Sequence, residues 1–206
     1  MIESERRQVQ VVLFDGFELL DLCGPLEVFG LADRFETTLI GPEAGPVASS
    51  QGTKLLADRS YADAPPPDIV LVPGGPGTRS LVLDQAWLGW LADWAAPADL
   101  IAAVCTGSAL LAAAGLLEGR RATSNRRAFA WVSRQGRQVT WLDQVRWVED
   151  HGRWTSAGVS AGLDLSLALV RRLCGDVTAR EVATRMEYDW RDAAAEQTVC
   201  RSDESR

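Results

Sequence analysis

Four apolar runs recur along the chain, at Val9–Phe14, Thr37–Ile40, Asp68–Val72 and Leu100–Val104. Each ends in a turn-forming cluster: Asp15-Gly16, Gly41-Pro42, Pro73-Gly74-Gly75-Pro76-Gly77 and Cys105-Thr106-Gly107. Apolar runs of this length, without polar alternation, read as strands covered on both faces. The segments between them read as helices, at Gly24–Leu31 with Pro25 near the first turn, at Trp87–Ala95 and at Ala109–Ala114. Lys54–Ala57 reads as a short strand in a loop-rich stretch. Strands that alternate with helices predict a doubly wound, mostly parallel sheet with helices on both faces.

After Gly119 the rhythm changes. Short strands are predicted at Arg121–Ser124, Gln138–Trp141 and Val145–Val148, with a short helix at Ala128–Val132. Glu149-Asp150-His151-Gly152 reads as a turn, with Arg153–Ser156 returning as the partner of a small β-hairpin. Leu163–Leu173 and Val177–Glu187 are amphipathic and read as helices, the second with Thr178 as its cap. Trp87, Trp90 and Trp94 stand at helical spacing and read as packing residues. No repeat or linker divides the sequence. One domain over residues 1–206 is expected, with a core at 8–190 and a polar, fraying tail at 191–206.

Composition narrows the function. The 206 residues are 47% hydrophobic and carry a net charge of −7, which disfavours nucleic acid and anionic membranes as partners. No stretch is long and apolar enough for a membrane span, and the polar start lacks a signal-peptide pattern. Cys23, Cys105, Cys174 and Cys200 are scattered, without metal-ligand or CxxC spacing. A cytoplasmic protein with free thiols, no metal and no cofactor is expected.

Cys105 is the centre of the chemical reading. An apolar strand runs into Cys-Thr-Gly-Ser and then into a helix, the layout of a nucleophile elbow with Cys in place of Ser. Backbone N–H groups and the helix dipole at such a turn favour the reactive thiolate. Ligands of open parallel sheets bind beyond the carboxyl ends of the strands. Three loops leave such ends here: one with Glu18 and Asp21, one with Gly74 and Gly75, one with Cys105 and Thr106. A carboxyl group beside a thiol can act as acid or base, and backbone N–H groups from Gly75 and from the turn after Cys105 can meet a developing negative charge. Asp21 could equally cap the helix near Gly24, and the glycines could serve turn geometry alone. The single histidine, His151, falls in the predicted hairpin turn, which argues against a Cys-His pair.

These segments together resemble the ThiJ/PfpI superfamily. The resemblance rests on Leu20-Asp21-Leu22-Cys23-Gly24-Pro25, Pro73-Gly74-Gly75, Ala103-Val104-Cys105-Thr106-Gly107-Ser108, Gly115–Thr123 and Ser156–Asp164, and spans about residues 9–190. Within it the chain is most similar to the isocyanide hydratase branch. The resemblance implies a flavodoxin-like fold of the class I glutamine amidotransferase type and a homodimer. It implies Cys105 as nucleophile with Asp21 as its acid/base partner, Gly75 in the anion site and Thr106 beside the nucleophile. Gly158 and Val159 match a loop near the hydratase site, and Asp164 falls in a recurrent Ala-Gly-x-Asp read as structural.

The chain also departs from its relatives. Thr106 stands where PfpI-type peptidases carry His, and Thr123-Ser124-Asn125 stands where many members carry Thr-Thr-His. Asn125 can hydrogen-bond but cannot carry a proton near neutrality. The expected activity is hydration or hydrolysis of a small electrophile, isocyanide to N-substituted formamide. The alternatives are a glyoxalase or deglycase acting on methylglyoxal-type aldehydes, or a non-enzymatic redox-sensing thiol. AraC-type regulators carry a related domain followed by a DNA-binding region, for which the residues beyond Trp190 are too few.

Overall fold

A computed structural model describes residues 6–192. The first half is built from β1 (Arg7–Val12), α1 (Leu19–Leu31), β2 (Phe35–Gly41), β3 (Gly45–Ala48), β4 (Lys54–Ala57), β5 (Arg59–Ser60) and β6 (Ile69–Val72). There follow α2 (Thr78–Leu81), α3 (Gln85–Ala95), β7 (Leu100–Val104), α4 (Gly107–Ala113), β8 (Arg121–Ala122), a 3-10 turn at Arg126–Ala128 and α5 (Phe129–Val132). The chain closes with β9 (Thr140–Trp141), β10 (Trp147–Asp150), β11 (Arg153–Ser156), α6 (Ala161–Cys174) and α7 (Asp176–Arg185).

Seven strands form one sheet in the order β10-β11-β7-β6-β1-β2-β5. All its neighbours are parallel except β10, which pairs antiparallel with β11 at the edge. This is the doubly wound α/β sheet that the apolar runs predict, of the flavodoxin-like kind that the resemblance implies. β1, β6 and β7 are buried along most of their length because helices cover both faces. α1, α6 and α7 pack together, and α2 and α3 pack with α4. The chain leaves β1 toward β2 on one side and fills β6, β7 and β11 on the other. The loops after β1 and β6 therefore diverge, and a crevice opens between them at the carboxyl ends.

Several expected boundaries move. α1 begins at Leu19 rather than near Gly24, so Pro25 lies inside the helix and not in its first turn. Asp21 is consequently a helical residue and not a cap, while the capping position, Glu18, makes no side-chain cap bond. The loop-rich stretch contains an unexpected strand: Gly45–Ala48 pairs antiparallel with Lys54–Ala57. Its Gly and Pro disguise it, and both are tolerated in a two-stranded edge. The strands expected at 121–124 and 138–141 shrink to two residues each and pair only with one another. Thr123 and Ser124 instead spend their hydroxyls on the Leu142 and Cys105 carbonyls. α7 starts after Gly175 rather than from a Thr178 cap, because the Thr178 hydroxyl donates back to the Cys174 carbonyl. The hairpin turn tightens to His151-Gly152. On α3, Trp90 stacks on Trp94 at 5.1 Å, and the two indoles donate to the carbonyls of Tyr61 and Pro65. The expected tail lies outside the described residues beyond Asp192, as does Cys200.

Candidate active site

Cys105 sits at the carboxyl end of β7 with φ +57, a left-handed conformation that costs a residue with a Cβ about 1–2 kcal/mol. Hydrogen bonds hold it there. Its N–H donates to the Ser156 carbonyl at 3.1 Å, and its own carbonyl accepts the Ser124 and Ser108 hydroxyls at 2.8 and 2.9 Å. The turn thus throws the thiol across the ends of the neighbouring strands. Cys105 is nevertheless buried, with 6% exposure.

The parallel register brings the expected loops to that thiol. Asp21, in the first turn of α1, is fully buried. Its Oδ2 accepts the Gly74 N–H at 2.9 Å, while Oδ1 has no conventional donor. The Cys105 thiol lies within hydrogen-bonding reach of this carboxyl group. Gly75 adopts φ +128, and a Cβ there would lie 2.3 Å from the Gly16 carbonyl oxygen, so only glycine fits between the first two loops. Gly158, in the turn between β11 and α6, closes the other side. A Cβ at Gly158 would stand 2.3 Å from Asn125 Nδ2 and 2.8 Å from Cys105 Sγ. Asn125 Oδ1 accepts the Ala128 N–H at 3.2 Å, and Nδ2 lies against Gly158. Half-buried Val159 follows, its carbonyl accepting the Gly162 N–H at the start of α6.

Two expectations about this site need correction. The Gly75 N–H is not open to an anion in the resting structure, because it donates to Thr106 Oγ1 at 2.9 Å. The thiol is not held as thiolate either. Burial, then the neighbouring Asp21 charge, push Cys105 up to about 12, against the opposing Thr106 N–H and hydroxyl. Asp21 is itself raised to about 7, chiefly by burial, with Gly74 lowering it, Glu18 raising it and Cys105 lowering it. Near neutrality the pair is a thiol beside a carboxyl group poised between its two forms. Such a carboxylate can take the thiol proton as a bond to sulfur forms.

Some groups carried no clear signal in sequence. Thr78 is fully buried, donates to the Gly75 carbonyl at 2.7 Å and lies 3.2 Å from Thr106 Oγ1. Ser124 braces the elbow from the loop after β8. A Ser or Thr after a turn is too common to single out. His151 is exposed at the β10–β11 turn, paired with Asp150. Since Arg153 pairs with Ile101 and Ser156 with Val104, His151 lies at the opposite end of the sheet from Cys105. Asp164 is buried in an ion pair with Arg146. Among the described residues no three His, Cys, Asp or Glu are grouped to hold a metal, Cys23, Cys105 and Cys174 are free, and no helix is long and apolar enough to cross a membrane.

A flavodoxin-like sheet with a cysteine in a left-handed elbow and a buried acid beside it defines a class of α/β proteins. Residues 7–172 match the DJ-1/PfpI family, and the chain belongs to that family. It is 35% identical to isonitrile hydratase of Pseudomonas putida over 181 residues, covering 88% of this chain and 78% of that protein. A ThiJ/PfpI family protein from Pseudomonas syringae superposes with a TM-score of 0.80 at 32% identity, covering 89% of this chain and 76% of that one. The chain is also 29% identical, over 84% of its length, to the HTH-type transcriptional regulator CdhR of Pseudomonas aeruginosa, and spans 52% of that protein. The family thus contains both an enzyme and regulators.

Proposed function

We propose that the protein is a cysteine-dependent hydratase of a small electrophile, converting an isocyanide to its N-substituted formamide. The observation that carries this reading is the Cys105 thiol in its elbow beside the buried carboxyl group of Asp21. Similarity to an isonitrile hydratase along most of the chain supports it.

In this reading Cys105 Sγ attacks the terminal isocyanide carbon. Asp21 relays the thiol proton to that carbon, giving a thioimidate on Cys105. Water then adds to the same carbon, and Asp21 passes its proton to the substrate nitrogen. The C–S bond breaks, the hydroxyl proton returns to sulfur and the formamide leaves. One water is added in sum, and no cofactor takes part. The Thr106 N–H, which acts on the thiol, and Asn125 Nδ2, beside Gly158, supply donors in this reading. Gly75 offers its N–H once the Thr106 hydroxyl releases it. Gly74 orients the acid, and Gly158 and Val159 form the wall opposite.

The net charge of −7 supports an uncharged small-molecule partner over nucleic acid or membrane. We place the protein in the cytoplasm as a homodimer, which sedimentation and cell fractionation check. The decisive test is steady-state hydration of an aromatic isocyanide, followed optically. Saturable turnover by the wild type is expected, with loss in Cys105→Ala and a fall of roughly 10²–10⁴-fold in Asp21→Asn. A wild type that turns over no isocyanide while an authentic hydratase does so would overturn the substrate assignment.

A further inference from the structure

We propose that Glu18, fixed in place by Gln51 at the tip of the β3–β4 hairpin, is a positioning residue for the Asp21–Cys105 pair. The inference rests on the proposed role of that pair. The tip of the hairpin is tied down on the loop that leads into α1, the helix that carries the acid. The Gly16 N–H donates to the Ala48 carbonyl and the Ser50 N–H to the Phe17 carbonyl, each at 2.8 Å. Asp15 Oδ1 accepts the Ala48 N–H at 3.2 Å. An isolated bridge joins Phe17 to Ser49.

Gln51 then does two things with one side chain. Its Oε1 accepts the Leu19 N–H at 3.1 Å, capping the first turn of α1 from another element, where Glu18 makes no cap bond of its own. Its Nε2 donates to Glu18 Oε1, and the Ser50 hydroxyl donates to Glu18 Oε2 at 3.3 Å. The Glu18 N–H meanwhile donates to the Gly74 carbonyl at 2.8 Å, and the Gly74 N–H donates to Asp21 Oδ2 at 2.9 Å. The hairpin tip, Glu18, Gly74 and Asp21 are therefore joined in one run of hydrogen bonds. The charged and titratable groups acting on Asp21 are Glu18 from the start of its own helix and Cys105 from the β7–α4 turn. Among the described residues, Glu18 is the negative charge placed to favour the protonated form of Asp21. A fixed tether keeps that influence constant, where a free side chain would swing into solvent and be screened.

The test uses Glu18→Gln, Gln51→Met and their combination. Glu18→Gln removes the charge and preserves the shape. Gln51→Met removes the amide that holds Glu18 and leaves its charge free to swing into solvent. The readout is the rate of Cys105 alkylation by iodoacetamide in the full chain, resolved by peptide mass spectrometry from about pH 5 to about pH 9, where the rising limb follows Asp21 as the base for the raised thiol. Circular dichroism confirms that each variant is folded. The midpoint of that limb is expected to fall by on the order of half a pH unit in Glu18→Gln and by less in Gln51→Met. In the combined variant it should fall no further than in Glu18→Gln, because the tether then holds no charge. An unmoved midpoint in Glu18→Gln, or a shift from Gln51→Met that persists undiminished in the combined variant, overturns the inference. The expected shifts in a protein that hydrates no isocyanide would retire the substrate and leave the Glu18 assignment standing. Unmoved midpoints with intact turnover would do the reverse.

Discussion

Two aspartates in this molecule are equally and completely buried, yet their surroundings make them different chemical objects. Asp164, in α6, forms an ion pair with the Arg146 side chain and accepts the Tyr188 hydroxyl at 3.2 Å and the Arg191 N–H at 3.0 Å. Burial still leaves it raised, but the Arg146 hydrogen bond and charge, the Arg191 N–H and the Tyr188 hydroxyl all hold that rise back. Asp21 has one backbone donor, a thiol and a like charge nearby. The first has a full set of partners and locks a structure. The second is short of partners and keeps a proton within reach near pH 7. Depth of burial alone says little about a carboxyl group; the donors and charges around it decide between scaffold and reagent.

The contrast can be broken most severely at Asp164. Asp164→Ala strands the Arg146 guanidinium, and unfolding by denaturant should show a loss of about 3–5 kcal/mol. Replacing both partners, Arg146→Met with Asp164→Leu, should restore most of that loss. Asp21→Asn should behave in the opposite sense. Folding raises the Asp21 pKa to about 7 from its ordinary value of 3.8, so the folded state binds more protons and loses stability as pH climbs through that window. The stability of Asp21→Asn relative to wild type should therefore improve by about 2 kcal/mol between about pH 5 and about pH 8. No improvement across that range would mean that the carboxyl group titrates in its ordinary range.

Smaller effects sharpen the same contrast. Gly158→Ala puts a methyl group against Asn125 and Cys105 and should lower kcat/KM by about tenfold while costing about 1–3 kcal/mol of stability. Asn125→Ala removes a donor from the thiol side and a cap from the 3-10 turn; a loss of about 1 kcal/mol in thermal unfolding is expected. The pH profile of kcat/KM should rise through about 7, following Asp21, and Asp21→Asn should abolish that limb.

The positions of Asp21, Gly74, Gly75, Thr106 and Cys105 were legible because each follows an apolar run, and parallel strands deliver their carboxyl ends to one edge. The protonation of the thiol was not legible. A cysteine before a helix suggests thiolate, but the depth of the site is a tertiary property that the local string does not contain. Nor was the Gln51 tether. Gly45-Pro46-Val47-Ala48 carries two residues that ordinarily end strands, and the reach of a hairpin tip to α1 depends on how the chain folds back. The early start of α1 follows from that contact, since the partner for its first free N–H comes from outside the helix.

The left-handed backbone at Cys105 has an evolutionary consequence. Glycine occupies that conformation without strain, and an amide in place of the Asp21 carboxyl group would keep the acceptor for the Gly74 N–H with no charge to bury. The most heat-resistant descendants of this protein would therefore be inert ones. Under selection for robustness alone these two positions would be among the early losses, and their retention in a lineage would itself measure how strongly the chemistry is needed.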